Sequence, residues 1–129
     1  MLEPTREPPC VAVADDEIMI GLMIQEVFLS AGYDVSRGSD GDELLSLVEQ
    51  REPVLIVTNW SMPGTARLPL LRRLRATFPH VPIIVVTGDV FGAREASDDV
   101  PDIYVLGKPI DFPHLFKIAK IRGLIAANA

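Results

Sequence analysis

Three runs in this chain, CVAVA (Cys10 to Ala14), VLIVT (Val54 to Thr58) and IIVVT (Ile83 to Thr87), are apolar at almost every position. A strand with one wet face alternates apolar and polar residues. A run without alternation suits a strand covered on both faces. Between these runs the period changes to that of a helix. Ile20, Ile24, Val27, Phe28 and Ala31 share one helical face in a segment from about Glu17 to Ala31, and Gly32 supplies a stop signal. A short second strand fits Asp34 to Arg37, and a second helix fits Asp40 to Gln50, with Leu44, Leu45, Leu47 and Val48 apolar.

After the third strand, Pro69 fits the first turn of a helix that LLRRLRATF carries to Phe78. Pro79 and Pro82 bracket a loop before the fourth strand. The fourth helix is expected to be short or irregular: Ala93 to Ser97 makes barely two turns before Ser97-Asp98-Asp99 and Pro101 interrupt it. A fifth strand is expected over Ile103 to Leu106. Asp111 is a candidate N-cap for a last helix over about Phe112 to Ala127, with Pro113 in its first turn. Strands alternating with amphipathic helices predict an α/β fold, a (βα)5 chain around a doubly wound parallel five-stranded sheet. Residues 1–9, polar and proline-rich, read as a flexible lead-in, and residues 10–129 as a single domain.

The 129 residues, 48% of them hydrophobic, suffice for one domain with a proper core. A net charge of −6 argues against nucleic acid or an anionic membrane as a direct partner. A lone cysteine, Cys10, permits no internal disulfide, and it reads as a buried strand thiol. No apolar run approaches the roughly 20 residues that span a bilayer, and the first residues contain no apolar signal core. The expectation is a cytoplasmic protein.

In open α/β sheets, ligands bind beyond the carboxyl ends of the strands. The residues there are Asp15 and Asp16 after strand one, Asn59 at the end of strand three, Thr87 after strand four and Lys108 after strand five. Two adjacent acids resemble half of a hard-cation site such as one for Mg2+. They equally suit a helix start, where acids oppose the positive end of the dipole. Thr87 reads on its own as a turn-capping hydroxyl. Lys108 reads on its own as a solvated lysine, although one among strand-end acids has partners within reach, and Lys108-Pro109 is a candidate cis bond. His80 and His114 both follow Phe-Pro, have no metal-ligand company and read as a loop residue and a helix-start residue.

VAVADDE, NWSMPG, VVTG and LGKPI, in this order on a (βα)5 chain, resemble the receiver domain of bacterial two-component response regulators from about Val11 to Ala127. The resemblance implies a flavodoxin-like sheet of strand order 2-1-3-4-5. It also implies an acidic pair, Asp15 and Asp16, that holds Mg2+ together with the backbone carbonyl of Ser61. Thr87 and Lys108 match the residues that contact the phosphoryl group, and position 59 matches the aspartate that accepts it from a histidine kinase.

That position is Asn59, and a neutral amide is not the nucleophile that a charged carboxylate is. It also removes one charge and one strong metal ligand, so Mg2+ is expected to bind weakly if at all. Asp15, Asp16 and Lys108 are expected to form an ionic cluster, with Asn59 as a hydrogen-bonding member. Other departures accompany it. TARLP stands where the family has an Asp-Gly soon after Met-Pro-Gly. Val105 replaces the switch aromatic, with Tyr104 on the opposite face of its strand. The first helix carries extra apolar residues, Ile18, Met19, Leu22, Met23 and Leu29. They suit either a deeply covered helix or a docking face, and the family uses this helix to meet its kinase or phosphotransfer partner.

The leading expectation is an atypical receiver, with no intact catalytic residue and no enzyme activity, that acts by protein contact. Its partners would be a histidine kinase, a phosphotransfer protein or another signalling protein, or a second copy in a homodimer. An ordinary receiver with an engineered Asp→Asn change is the alternative. So is a Mg2+-dependent phosphohydrolase or a flavodoxin-like flavin carrier. The first lacks the Asp-x-Asp that hydrolysis needs, and the second lacks a hydroxyl- and glycine-rich phosphate loop, so no organic cofactor is expected.

Overall fold

A computed structural model describes residues 8–124. The elements run β1 (Cys10–Ala14), α1 (Ile18–Ser30), β2 (Asp34–Gly38), α2 (Gly41–Gln50), β3 (Leu55–Asn59), α3 (Arg67–Thr77), β4 (Ile83–Thr87), α4 (Val90–Ala96), β5 (Ile103–Gly107) and α5 (Phe112–Ile121). The strands form one parallel sheet in the order β2-β1-β3-β4-β5. β1, β3 and β4 are buried at every position, which is why their sequences do not alternate.

Strand side chains still alternate in direction, and this divides the core in two. Ala12, Ala14, Ile56, Ile83 and Val85 meet Leu44 and Val48 of α2, Leu70, Leu71 and Leu74 of α3, and Ala93 of α4. On the other face, Val11, Val13, Leu55, Val57, Ile84 and Val86 meet Ile24 and Phe28 of α1 and Leu115 and Ile118 of α5. Val105 joins the first group and Tyr104 packs against the second, on opposite faces as the alternation requires.

Helix ends follow local chemistry. Asp40, Asp89 and Asp111 accept the backbone N–H of Glu43, Gly92 and His114 at 2.7, 3.0 and 3.1 Å. α1 stops as Gly32 takes φ +93°, with Tyr33 N–H on Phe28 O and Gly32 N–H on Leu29 O. α5 stops the same way and earlier than the sequence pattern predicts. Gly123 takes φ +74°, and Leu124 and Gly123 donate to Ala119 and Lys120, so the helix ends at Ile121. Residues 125–127 of the expected helix, and residues 1–7 of the expected lead-in, lie outside the described residues. α4 is short, as expected, although it starts at Val90 because Asp89 caps it.

Two other expectations about α1 need correction. Ala31 is exposed, since it is the C-cap and not part of the buried face. The wide apolar stripe is not deeply covered either: Ile18 is 63% exposed, Met19 69% and Met23 50%. Gly21, Ile24 and Phe28 alone are buried in this helix, because it lies on the sheet along one narrow line.

Candidate functional site

Strand order reverses at β1, so the loops leaving β1 and β3 turn to opposite faces and leave a crevice between them. The strand-end residues converge there. Just past the end of β1 the acidic pair divides. Asp15 is buried, 3% exposed, whereas Asp16 is exposed. Asp15 Oδ1 accepts the Glu17 N–H at 2.8 Å. Its Oδ2 is buried and has no hydrogen-bond donor; the Lys108 ammonium, 3.4 Å away, gives it an ionic contact only.

Lys108 also donates to Glu17 Oε1 at 2.9 Å. Burial works against its ammonium, but the hydrogen bond to Glu17 and the charges of Asp15 and Glu17 outweigh that, and its pKa is raised. Burial also raises the Asp15 pKa, opposed by the Glu17 N–H and by Lys108. The Lys108 N–H donates to Thr87 O at 2.8 Å, and the Lys108-Pro109 peptide is cis.

Asn59, 8% exposed, closes the other half of the crevice. Its Nδ2 donates to Asp16 Oδ1 at 2.9 Å and to the Ser61 carbonyl at 2.8 Å. A carboxylate and a carbonyl only accept, so only the amide nitrogen can face both of them. Thr87, also buried, accepts the Asp89 N–H on its hydroxyl oxygen at 3.0 Å and so steadies the start of α4, the turn-capping role.

Asp15, Asp16, Asn59, Thr87 and Lys108 are thus gathered, with Ser61 supplying its carbonyl. Two participants were not foreseen. Glu17 is the nearer acid to Lys108, and the one sign of it in the sequence is that the strand-end acids number three. Arg67 holds φ +56°, in the left-handed region, and donates to Ser61 Oγ at 3.0 Å. It lies within the stretch where the resemblance leads one to expect Asp-Gly, and the backbone keeps a shape that glycine favours. His80 and His114 are exposed, and neither joins the site.

The donor set is a poor match to Mg2+, which takes oxygen ligands in near-octahedral array. Two of the oxygens concerned, on Asp16 and Ser61, point at an N–H donor that a cation would repel. Among the described residues, no three His, Cys, Asp or Glu side chains are grouped to hold a metal. The arrangement provides no carboxylate nucleophile at position 59.

Comparison with known proteins agrees with this topology. The response regulator receiver domain model matches residues 11–120. The phosphate regulon transcriptional regulatory protein PhoB of Rhizobium meliloti is 29% identical over 91% of the chain, and the chain spans about half of its length, 52%. Sporulation initiation phosphotransferase F of Bacillus subtilis is 24% identical over 89% of the chain and 89% of its own length. The chemotaxis response regulator CheY4 of Vibrio cholerae superposes with a TM-score of 0.79 at 23% identity, covering 89% of this chain and 98% of that one. With five parallel strands in the order 2-1-3-4-5 and the receiver model matching residues 11–120, the chain belongs to the response regulator receiver domain family of two-component signal transduction.

Proposed function

We propose that this chain is an atypical receiver, one that signals by protein contact without aspartyl phosphorylation at position 59. Receiver domains are in general non-enzymatic modules that interact with histidine kinases and phosphotransfer proteins. The observation that carries the reading is Asn59: its nitrogen is committed to Asp16 and Ser61, and its oxygen is uncharged. The altered neighbours, Arg67, Val105 and a seven-residue α4, favour a native amide over an engineered one. The partner is a histidine kinase, a phosphotransfer protein or another signalling protein, with a second copy as the remaining choice. The exposed Ile18, Met19, Leu22 and Met23 of α1 suit such a contact. Direct binding to nucleic acid or a membrane is disfavoured by the net charge of −6, and no described helix is long and apolar enough to cross a membrane. A free, buried Cys10 suits a reducing, cytoplasmic setting.

The test is intact mass after incubation with acetyl phosphate and Mg2+. The expected result is no added phosphoryl group, with Asn59→Asp gaining one. A phosphorylated wild-type species that hydroxylamine discharges would overturn the proposal.

A further inference from the structure

The amide at position 59 does more than withhold a nucleophile. Asn59 Nδ2 sits 2.9 Å from Asp16 Oδ1 and 2.8 Å from Ser61 O, bridging the loop after β1 to the loop after β3. Those two oxygens belong to the set that the resemblance assigns to a divalent cation. What they meet instead is the positive end of an amide dipole, a group that satisfies acceptors as a cation would. We infer that the Asn59 amide group substitutes for the divalent cation at Asp16 and Ser61, so that these two acceptors are satisfied without any metal.

The charges around the crevice support this. Asp15 is the one buried acid there, and Lys108 already stands 3.4 Å from its otherwise donor-free oxygen. Glu17, whose side chain is 60% exposed, completes the pairing of Lys108. Asp16 is exposed to water and takes the amide hydrogen bond. No buried negative charge is left for a cation to neutralise. An aspartate at position 59 would reverse this. It would turn an acceptor oxygen toward Asp16 Oδ1 and Ser61 O, and like charges at that spacing repel. The amide and Lys108 together tie the loops after β1, β3 and β5 into one arrangement. The inference rests on family membership and on an unmodified Asn59.

Trp60 is the sole tryptophan, adjacent to Asn59 and lining a hollow with Thr87 and Arg67, so its fluorescence reports this face. EDTA-treated protein is titrated with MgCl2 at matched ionic strength, with fluorescence and thermal melting as readouts. For the wild type, no saturable fluorescence change and the same Tm in EDTA and in Mg2+ are expected. Asn59→Asp is expected to melt several degrees lower than wild type in EDTA, to regain stability in Mg2+, and to show a saturable Trp60 response. A saturable wild-type response at millimolar Mg2+ overturns the inference, as does an Asn59→Asp variant as stable as wild type in EDTA and indifferent to Mg2+. If that variant folds only once Mg2+ is added, the inference is supported. If it folds in neither condition, the wild-type titration decides alone. A wild type that refuses acetyl phosphate yet binds Mg2+ saturably sinks this inference and leaves the proposed function standing.

Discussion

Replacing Lys108 by methionine isolates the electrostatics of the site, because methionine keeps most of the apolar stem and removes the charge. The side chain of Asp15 is 1% exposed and that of Lys108 is 17% exposed, so water screens this pair poorly. At their 3.4 Å separation the attraction is about 5 kcal/mol with an effective dielectric constant of 20. The loss on mutation has a ceiling, since Asp15 can escape by taking a proton. Protonating a carboxyl of pKa about 3.9 at pH 7 costs about 4 kcal/mol. The Lys108–Glu17 contact adds at most about 1 kcal/mol, because Glu17 is largely exposed. Lys108→Met should therefore lose about 2–4 kcal/mol of unfolding free energy at pH 7.

The pH signature is specific. Asp15 already has a raised folded-state pKa from burial, and losing Lys108 raises it further. Between the unfolded value and the raised folded one, the native state binds the extra proton. The variant should then regain stability as pH falls, at up to about 1.4 kcal/mol per pH unit. For wild type the raised Lys108 pKa acts at the other end. Its contribution is complete below the unfolded lysine value, about 10.4, and is lost as pH rises through the folded one. Urea unfolding of wild type, Lys108→Met, Asp15→Asn and the double variant at pH 7 and pH 5 measures both effects. A Lys108→Met loss under about 1 kcal/mol, a loss that does not shrink at pH 5, or a full loss persisting on the Asp15→Asn background would refute the reasoning.

Two further substitutions probe the fold, one at the amino ends of β4 and β5 and one beside the site. Arg75 is buried, and its guanidinium donates to the carbonyls of Phe78, Val81, Pro101 and Asp102 at 2.6–3.0 Å. Arg75→Met strands those acceptors and should cost about 3–5 kcal/mol in urea unfolding, at about 1–3 kcal/mol per buried unsatisfied group with partial rescue by water. Arg67 holds φ +56°, a conformation costing about 1–2 kcal/mol for an L-residue with a side chain. Arg67→Gly should leave stability unchanged or raise it by up to about 1 kcal/mol, whereas Arg67→Val should lower it by more than that; the opposite order of midpoints would contradict the strain.

The frame was legible because buried parallel strands are written as unbroken apolar runs, and CVAVA, VLIVT and IIVVT need no distant information to be read. Gly32 and Asp111 worked as stop and start signals because both act on backbone groups within a few residues. The misreadings came where geometry depended on something remote. Whether Met19 and Met23 are covered is decided by how far α1 rolls on the sheet, and no local pattern records that. Gly123 ends α5 because it is free to take φ +74° once the helix reaches it, while the apolar residues beyond it continue a helical pattern. Arg67 is the plainest case: a side chain with a Cβ holds a backbone shape that its own sequence disfavours.

The site divides along the same line. That five strand-end residues would meet follows from topology alone, since a parallel sheet places every strand's carboxyl end on one edge. How they pair does not follow. Asp15 and Asp16 read as a couple aimed at one ligand, yet the chain leaving β1 gives them different surroundings. One is buried against Lys108 and the other is exposed against Asn59, a partner 43 residues away. The amide itself was plain to read, but what it touches needed the distances. Asparagine and aspartate differ by one atom in a side chain of the same shape, so the exchange alters charge and donor capacity and not volume. That atom nevertheless reverses the sign of two contacts, since an oxygen there would face two acceptors and a nitrogen donates to both.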